Sequence, residues 1–111
     1  MFGSSTMQAG KTAQEYELTV IYLPCNAQVL ASSVKFTVED AERAGFEVYS
    51  MDIEGKKRLA YPINRYGKEE EYGIYAYFRL AGNGCVSELN DRLCGANTVL
   101  RHLLVRSRNS Y

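Results

Sequence analysis

The 111 residues include no tryptophan, two prolines and one histidine, His102. No His–Cys pair or Ser–His–acid set can be assembled around that one imidazole with conviction. A lone histidine in a strand reads first as a packed or surface residue. There is no Walker-type phosphate loop and no Rossmann glycine fingerprint. The three cysteines are Cys25, Cys85 and Cys94, and the last two stand nine positions apart, which fits no compact zinc spacing. An odd count without a signal peptide points to reduced thiols in the cytosol, acting as small apolar residues. No metal or other cofactor is expected. No run approaches the roughly 18 apolar residues of a membrane span, so a soluble chain is expected. Residues 1–14, MFGSSTMQAGKTAQ, lack the apolar stretch of a secretory signal and read as a flexible arm. Charge excess is missing too: Lys and Arg number 13, as do Asp and Glu. Neutrality argues against indiscriminate nucleic-acid binding but leaves room for a local basic patch.

The charges are unevenly placed. After Tyr72 the acids are Glu88 and Asp91, against Arg79, Arg92, Arg101, Arg106 and Arg108, while Glu69, Glu70 and Glu71 form an acidic run. The length suits one domain, here residues 15–108, with a tail at 109–111. Residues 16–23 are β-rich with Leu18, Val20 and Tyr22 on one face, and Pro24 ends the strand. Asn26 can cap a helix whose stripe is Leu30, Val34, Val38 and Ala41, stopped by Gly45. Residues 46–53 alternate again, and Gly55 marks a bend or bulge. Leu59, Tyr61 and Ile63 resume a period of two. A hairpin-like excursion through residues 65–68 leads to a strand over 72–80, with Ile74, Ala76, Phe78 and Leu80 on one face and Tyr75, Tyr77 and Arg79 on the other. A loop at 81–84 with a possible cap precedes a short helix carrying Val86, Leu89 and Leu93. Residues 99–107 form the last strand. The order β-α-β-β-α-β predicts an α+β ferredoxin-like sandwich: a four-stranded antiparallel sheet with two helices on one face.

Two helices cover only one face of such a sheet. The other should carry Thr19, Ile21 and Leu23, then Tyr75, Tyr77 and Arg79, joined by Leu103 and Val105. That is more apolar and aromatic than a solvated face requires, which points to a partner. Either a protein packs on it or single-stranded RNA stacks on its tyrosines. The second option is weakened at the third strand. Against the RNA-recognition signature, Glu70 stands at the basic start and Ile74 at an aromatic position. An acylphosphatase-like hydrolase shares the topology, but its phosphate cradle needs arginine and glycine after the first strand. Leu23-Pro24-Cys25-Asn26 has neither.

Residues 55–64, GKKRLAYPIN, set three cations beside a bend and then break an alternating strand with Pro62. The cations could form a phosphate site or a solvated turn. The segment resembles the signature of bacterial small-subunit ribosomal protein six: Gly, any, basic, polar, Leu, Ala or Ser, Tyr, any, Ile, then a small or polar residue. Tyr16-Glu17, Tyr72, Leu89, Leu93 and residues 97–101, NTVLR, resemble further family positions, in one register over about residues 15–108. The chain departs from the family in its N-terminal arm, in the loop 81–84 and in lacking a long acidic tail.

The resemblance implies a structural component of the cytoplasmic ribosome, with no catalytic task and no small-molecule substrate. Family members bind the central domain of small-subunit ribosomal RNA as a heterodimer with ribosomal protein eighteen. Carried over by position, the expected contacts are Tyr16, Lys57, Arg58, Tyr61 and Arg101. Charge and location add Arg92, Asn97, Arg106 and Arg108. Ile21, Tyr75, Tyr77 and Leu103 are the expected partner face. The competing reading is a non-ribosomal ferredoxin-like module that dimerises through its open sheet face.

Overall fold

The computed structural model describes residues 14–65 and 67–106. In chain order these form β1 (Gln14–Tyr22), α1 (Ala27–Arg43), β2 (Glu47–Arg65), β3 (Lys68–Gly82), α2 (Val86–Cys94) and β4 (Val99–Arg106). The expected arm, apart from Gln14, lies outside the described residues, as do Arg108 and the tail. The strands make one antiparallel sheet in the order β2-β3-β1-β4. This is the expected ferredoxin-like arrangement.

Alternation decides which side of the sheet meets the helices. Leu18, Val20 and Tyr22 of β1 share a face with Ile74, Ala76, Phe78 and Leu80 of β3, and all seven are buried. Val34 and Ala41 of α1 and Leu89 and Leu93 of α2 close over them in one core. Both helices therefore lie on that face. Asn26 caps α1, its Oδ1 accepting the Val29 N–H at 2.8 Å. Gly45 follows that helix with φ 102°, a conformation natural to glycine. The start of α2 has no side-chain cap. Cys85 and Cys94, at its two ends, are exposed thiols rather than buried apolar groups.

The phase of α1 differs from the expected stripe. Ser33 and Thr37 are buried beside Val34 and Ala41, whereas Leu30 and Val38 are only partly covered. The cause is the Tyr22 hydroxyl, which enters the core and needs a partner there. The Thr37 hydroxyl spends its hydrogen on Ser33 O at 3.0 Å, so Tyr22 donates to Thr37 Oγ1 at 2.6 Å. Burial pushes the Tyr22 phenol up to about 12. Turning Thr37 inward leaves an apolar groove between α1 and β2, with a volume near 520 Å³ and Met51 and Ile53 half exposed beside it.

β2 and β3 extend well beyond β1. β3 pairs with β1 from Ile74 to Gly82, so residues 68–73 pair only with β2. The acidic run Glu69, Glu70 and Glu71, ahead of the expected strand start at residue 72, belongs to this strand. The pairing of β2 with β3 shifts register three times. One shift is at Gly55, whose φ of 99° is open to glycine and strained for other residues. The largest falls between Arg58, opposite Tyr72, and Ile63, opposite Glu70. Residues 59–62 of β2 thus face a single residue of β3. Pro62 has no N–H to give a ladder, and the chain bulges around it. Leu59, Tyr61 and Ile63 consequently do not form the evenly covered row that a period of two predicts: Leu59 is buried at 7% exposure while Tyr61 stands out at 81%. Beyond the bulge, Arg65 donates to the carbonyls of Val99 and Ala96, tying the hairpin to the start of β4.

Candidate functional site

The face opposite the helices is built in rows, because directly paired residues of neighbouring strands point the same way. One row holds Gly55, Tyr75, Ile21 and Arg101. The next holds Asp52, Tyr77, Thr19 and Leu103, and a third holds Ser50, Arg79, Glu17 and Val105. Leu103 and Val105 are exposed at 62% and 47%. The open face is therefore apolar along β4, aromatic along β3 and polar along β2. Leu23 does not join it. It falls past the end of β1, where its N–H donates to Thr98 O at 2.8 Å.

Most charges on this face are paired. Lys57 Nζ lies 2.7 Å from Glu54 Oε1, and the Tyr77 hydroxyl donates to the same oxygen at 3.0 Å. The Lys57 ammonium and then the Tyr77 hydroxyl hold the Glu54 carboxyl below its usual range, and Glu54 in turn raises both Lys57 and Tyr77. Lys57 also sits over the Tyr75 ring, 5.7 Å from its centroid. Arg79 lies 3.7 Å from Glu17. Arg101 differs: it is exposed and has no ion-pair or hydrogen-bond partner among the described residues.

Beside Arg101 the bulge of β2 folds over the sheet. Leu59, Ala60, Tyr61, Pro62 and Ile63 wall a niche of about 160 Å³, completed by Ile21, Tyr75 and Arg101. Gly73 makes room for it. A Cβ there would run into Ile21 Cγ2 and come within 3.3 Å of Leu59 Cδ2, so the missing side chain lets both residues pack over the strand.

The structure thus gathers Tyr61, Arg101, Ile21 and Tyr75 into one niche, with Lys57 beside it and Tyr77 and Leu103 one row away. The other expected contacts are elsewhere. Arg58 pairs with Tyr72, on the opposite face from Lys57. Tyr16 packs edge-on against Phe46 at 5.2 Å, on the helix side of β1. Arg106 is paired with Tyr16 in the register and donates from Nε to Gln14 Oε1 at 2.8 Å. Arg92 is committed to the helix layer. It bonds Glu88 Oε2 through Nη2 at 3.0 Å and approaches Asp40 Oδ1 through Nη1 at 3.6 Å. Asn97 lines a separate cleft with Arg92 and the exposed Phe36. Arg108 is outside the described residues.

Sequence reasoning passed over Leu59, Ala60, Pro62 and Ile63 as niche walls and Gly73 as the notch beneath them. A proline breaking an alternating strand was the available signal. His102 faces the helices, its Nε2 lying 3.2 Å from Asn90 Oδ1, and burial lowers its pKa. Among the described residues it has no nucleophile as a partner. Among the described residues, no group of His, Cys, Asp and Glu could hold a metal ion, and no helix is long and apolar enough to cross a membrane.

Comparison with known proteins gives a consistent result. The model of the family described as ribosomal protein S6 matches residues 15–106. The small ribosomal subunit protein bS6 of Corynebacterium aurimucosum is 35% identical over 96 residues, covering 85% of this chain and 96% of that protein. The bS6 of Corynebacterium efficiens is 38% identical over 96 residues, with 84% and 96% covered. Among solved structures, the 30S ribosomal protein S6 of Thermotoga maritima superposes with a TM-score of 0.66 at 19% identity, over 86% of this chain and 89% of that one. That last likeness bears on the fold alone.

Proposed function

Because the chain belongs to the ribosomal protein S6 family, we propose that it binds the central domain of small-subunit ribosomal RNA together with ribosomal protein eighteen. The chain is a non-enzymatic protein of the small ribosomal subunit, in the cytoplasmic ribosome. Its place beside RNA and ribosomal protein eighteen rests on the open sheet face.

The carrying observation is the strip of Leu103 and Val105 beside Thr19 and Tyr77, which neither helix covers. Burying exposed apolar area favours association, and part of that gain offsets the freedom lost on docking. The polar β2 side of the face, with Asp52 and Glu54, suits a basic partner, and ribosomal protein eighteen is the partner the family implies. RNA would then be met by cations left free or freed on docking, with Arg101 foremost. Phosphate contacts of this kind set affinity and register, while RNA shape sets recognition. With 13 cations balanced by 13 anions, the chain alone would bind RNA weakly, and a basic partner would complete the site.

The test is sedimentation of tagged chain with small subunits, comparing wild type with Leu103→Asp. Leu103 is exposed, so the variant should fold. It should lose ribosomal protein eighteen in pull-down and disappear from the subunit fraction. A variant that keeps both would remove the open face from the interface.

A further inference from the structure

Resting on that reading of the open face, we infer that the niche under the β2 bulge is a subsite for one unpaired nucleotide of the RNA, its base held in the niche and its phosphate on Arg101. The niche measures about 160 Å³. For scale, a closed apolar cavity of about 150 Å³ takes one benzene ring. The space therefore suits a single planar ring system.

Its chemistry matches a nucleotide at each position. Ile21, Leu59, Pro62 and Ile63 give apolar walls, and Tyr75 contributes an aromatic ring. Tyr61 stands at the niche with 81% of its surface exposed, which leaves its ring free to stack on a base. Arg101 is the one charged lining residue, and it is unpaired among the described residues. Among the described residues, no carboxylate lines the niche to repel a phosphate. Residues 59–62 have no register partners in β3, and backbone polar groups in such a bulge can meet the edge of a base. Unpaired bases stacked on aromatic rings and hydrogen-bonded at their edges are the usual means of sequence-sensitive RNA recognition. The inference thus adds base contact to a surface otherwise read as touching only phosphate and protein.

Two experiments on the full chain decide it. The first is titration of the ¹⁵N-labelled protein with adenosine 5′-monophosphate and uridine 5′-monophosphate, followed by amide shifts. Saturable shifts at Ile21, Ala60, Tyr61, Ile63, Tyr75 and Arg101, with dissociation constants in the millimolar range, support the subsite. Absent shifts, or shifts scattered over all the arginines, overturn it. The second is Ala60→Phe, which fills the niche and leaves Tyr61 and Arg101 in place. Its expected effects are loss of the saturable shifts and about tenfold weaker ternary assembly with RNA and ribosomal protein eighteen.

If Ala60→Phe assembles normally while Arg101→Gln does not, phosphate is bound without the base. The subsite then falls while the proposed function stands. If Ala60→Phe weakens the protein pair with no RNA present, the niche holds a side chain of the partner and the subsite falls. If both variants leave assembly untouched, neither the niche nor Arg101 meets RNA, and the subsite falls while the proposed function stands. Should Ala60→Phe not fold, the titration of the unaltered chain decides alone.

Discussion

Replacing Gly73 by alanine is expected to lower stability, although the same change in an ordinary strand would raise it. Glycine within a strand costs about 0.5–1 kcal/mol relative to alanine, because it loses more backbone freedom on folding. That gain would appear if position 73 were open. Here the new methyl meets Ile21 Cγ2 inside van der Waals contact, Leu59 Cδ2 at 3.3 Å and Tyr22 O at 3.5 Å. Ile21 is β-branched and stiff about χ1, so its methyl cannot swing away cheaply. Overpacking of this kind costs roughly 1–3 kcal/mol. At mid-range the overpacking term exceeds the backbone gain, leaving a net loss of about 1 kcal/mol within limits of about 0–2.5 kcal/mol. Urea denaturation followed by circular dichroism reads it as a lower midpoint at constant slope. Adding Ile21→Ala removes the obstructing methyl, so the double variant should lose less than the sum of the singles. A Gly73→Ala protein as stable as wild type, or additive losses, would refute the claim that the bulge is seated on a glycine notch.

The Tyr22–Thr37 bond gives an asymmetric pair. Tyr22→Phe should cost about 1 kcal/mol, whereas Thr37→Val strands a buried phenol and should cost about 1–3 kcal/mol, with the double variant milder than the sum; a denaturation cycle measures all three. Arg101→Gln should weaken ternary assembly by roughly 1.5–3 kcal/mol. Arg92→Ala should leave assembly unchanged and shift stability by less than about 1 kcal/mol, since its partners Glu88 and Asp40 are intramolecular and its pairing is part-exposed. Burial holds His102 below its ordinary 6.5, so the unfolded chain takes up the proton first as pH falls. Its contribution should be complete above pH 6.5 and lost as pH drops through the lower folded value, and thermal melts of His102→Gln should fall less steeply over that range than wild type.

The strands were readable because strict alternation leaves little choice of face: Leu18, Val20 and Tyr22 could only point together. The phase of α1 was not readable. It is set by a hydroxyl that enters the core from another element, and a stripe of apolar residues cannot register Ser33 and Thr37 as interior. The bulge was half legible. Pro62 signals that the ladder breaks, but how many residues the break spans depends on pairing with β3. Gly73 was passed over for the same reason, since its role is defined by Ile21 and Leu59 from two other strands. Among candidate contacts, charge counting treated Arg92 and Arg101 alike. Glu88 four residues before Arg92 hints at a helix pair, yet Asp40 reaches it only through the packing of α1 on α2. Arg101 is set apart by what it lacks, a neighbouring carboxylate, and only the strand register reveals that.

The most direct test of the proposed role compares binding of a central-domain RNA fragment to the isolated chain and to its mixture with ribosomal protein eighteen, at matched salt. Tight binding that requires both proteins, and weak binding by the chain alone, is the predicted result. Equal affinity with and without ribosomal protein eighteen would contradict it.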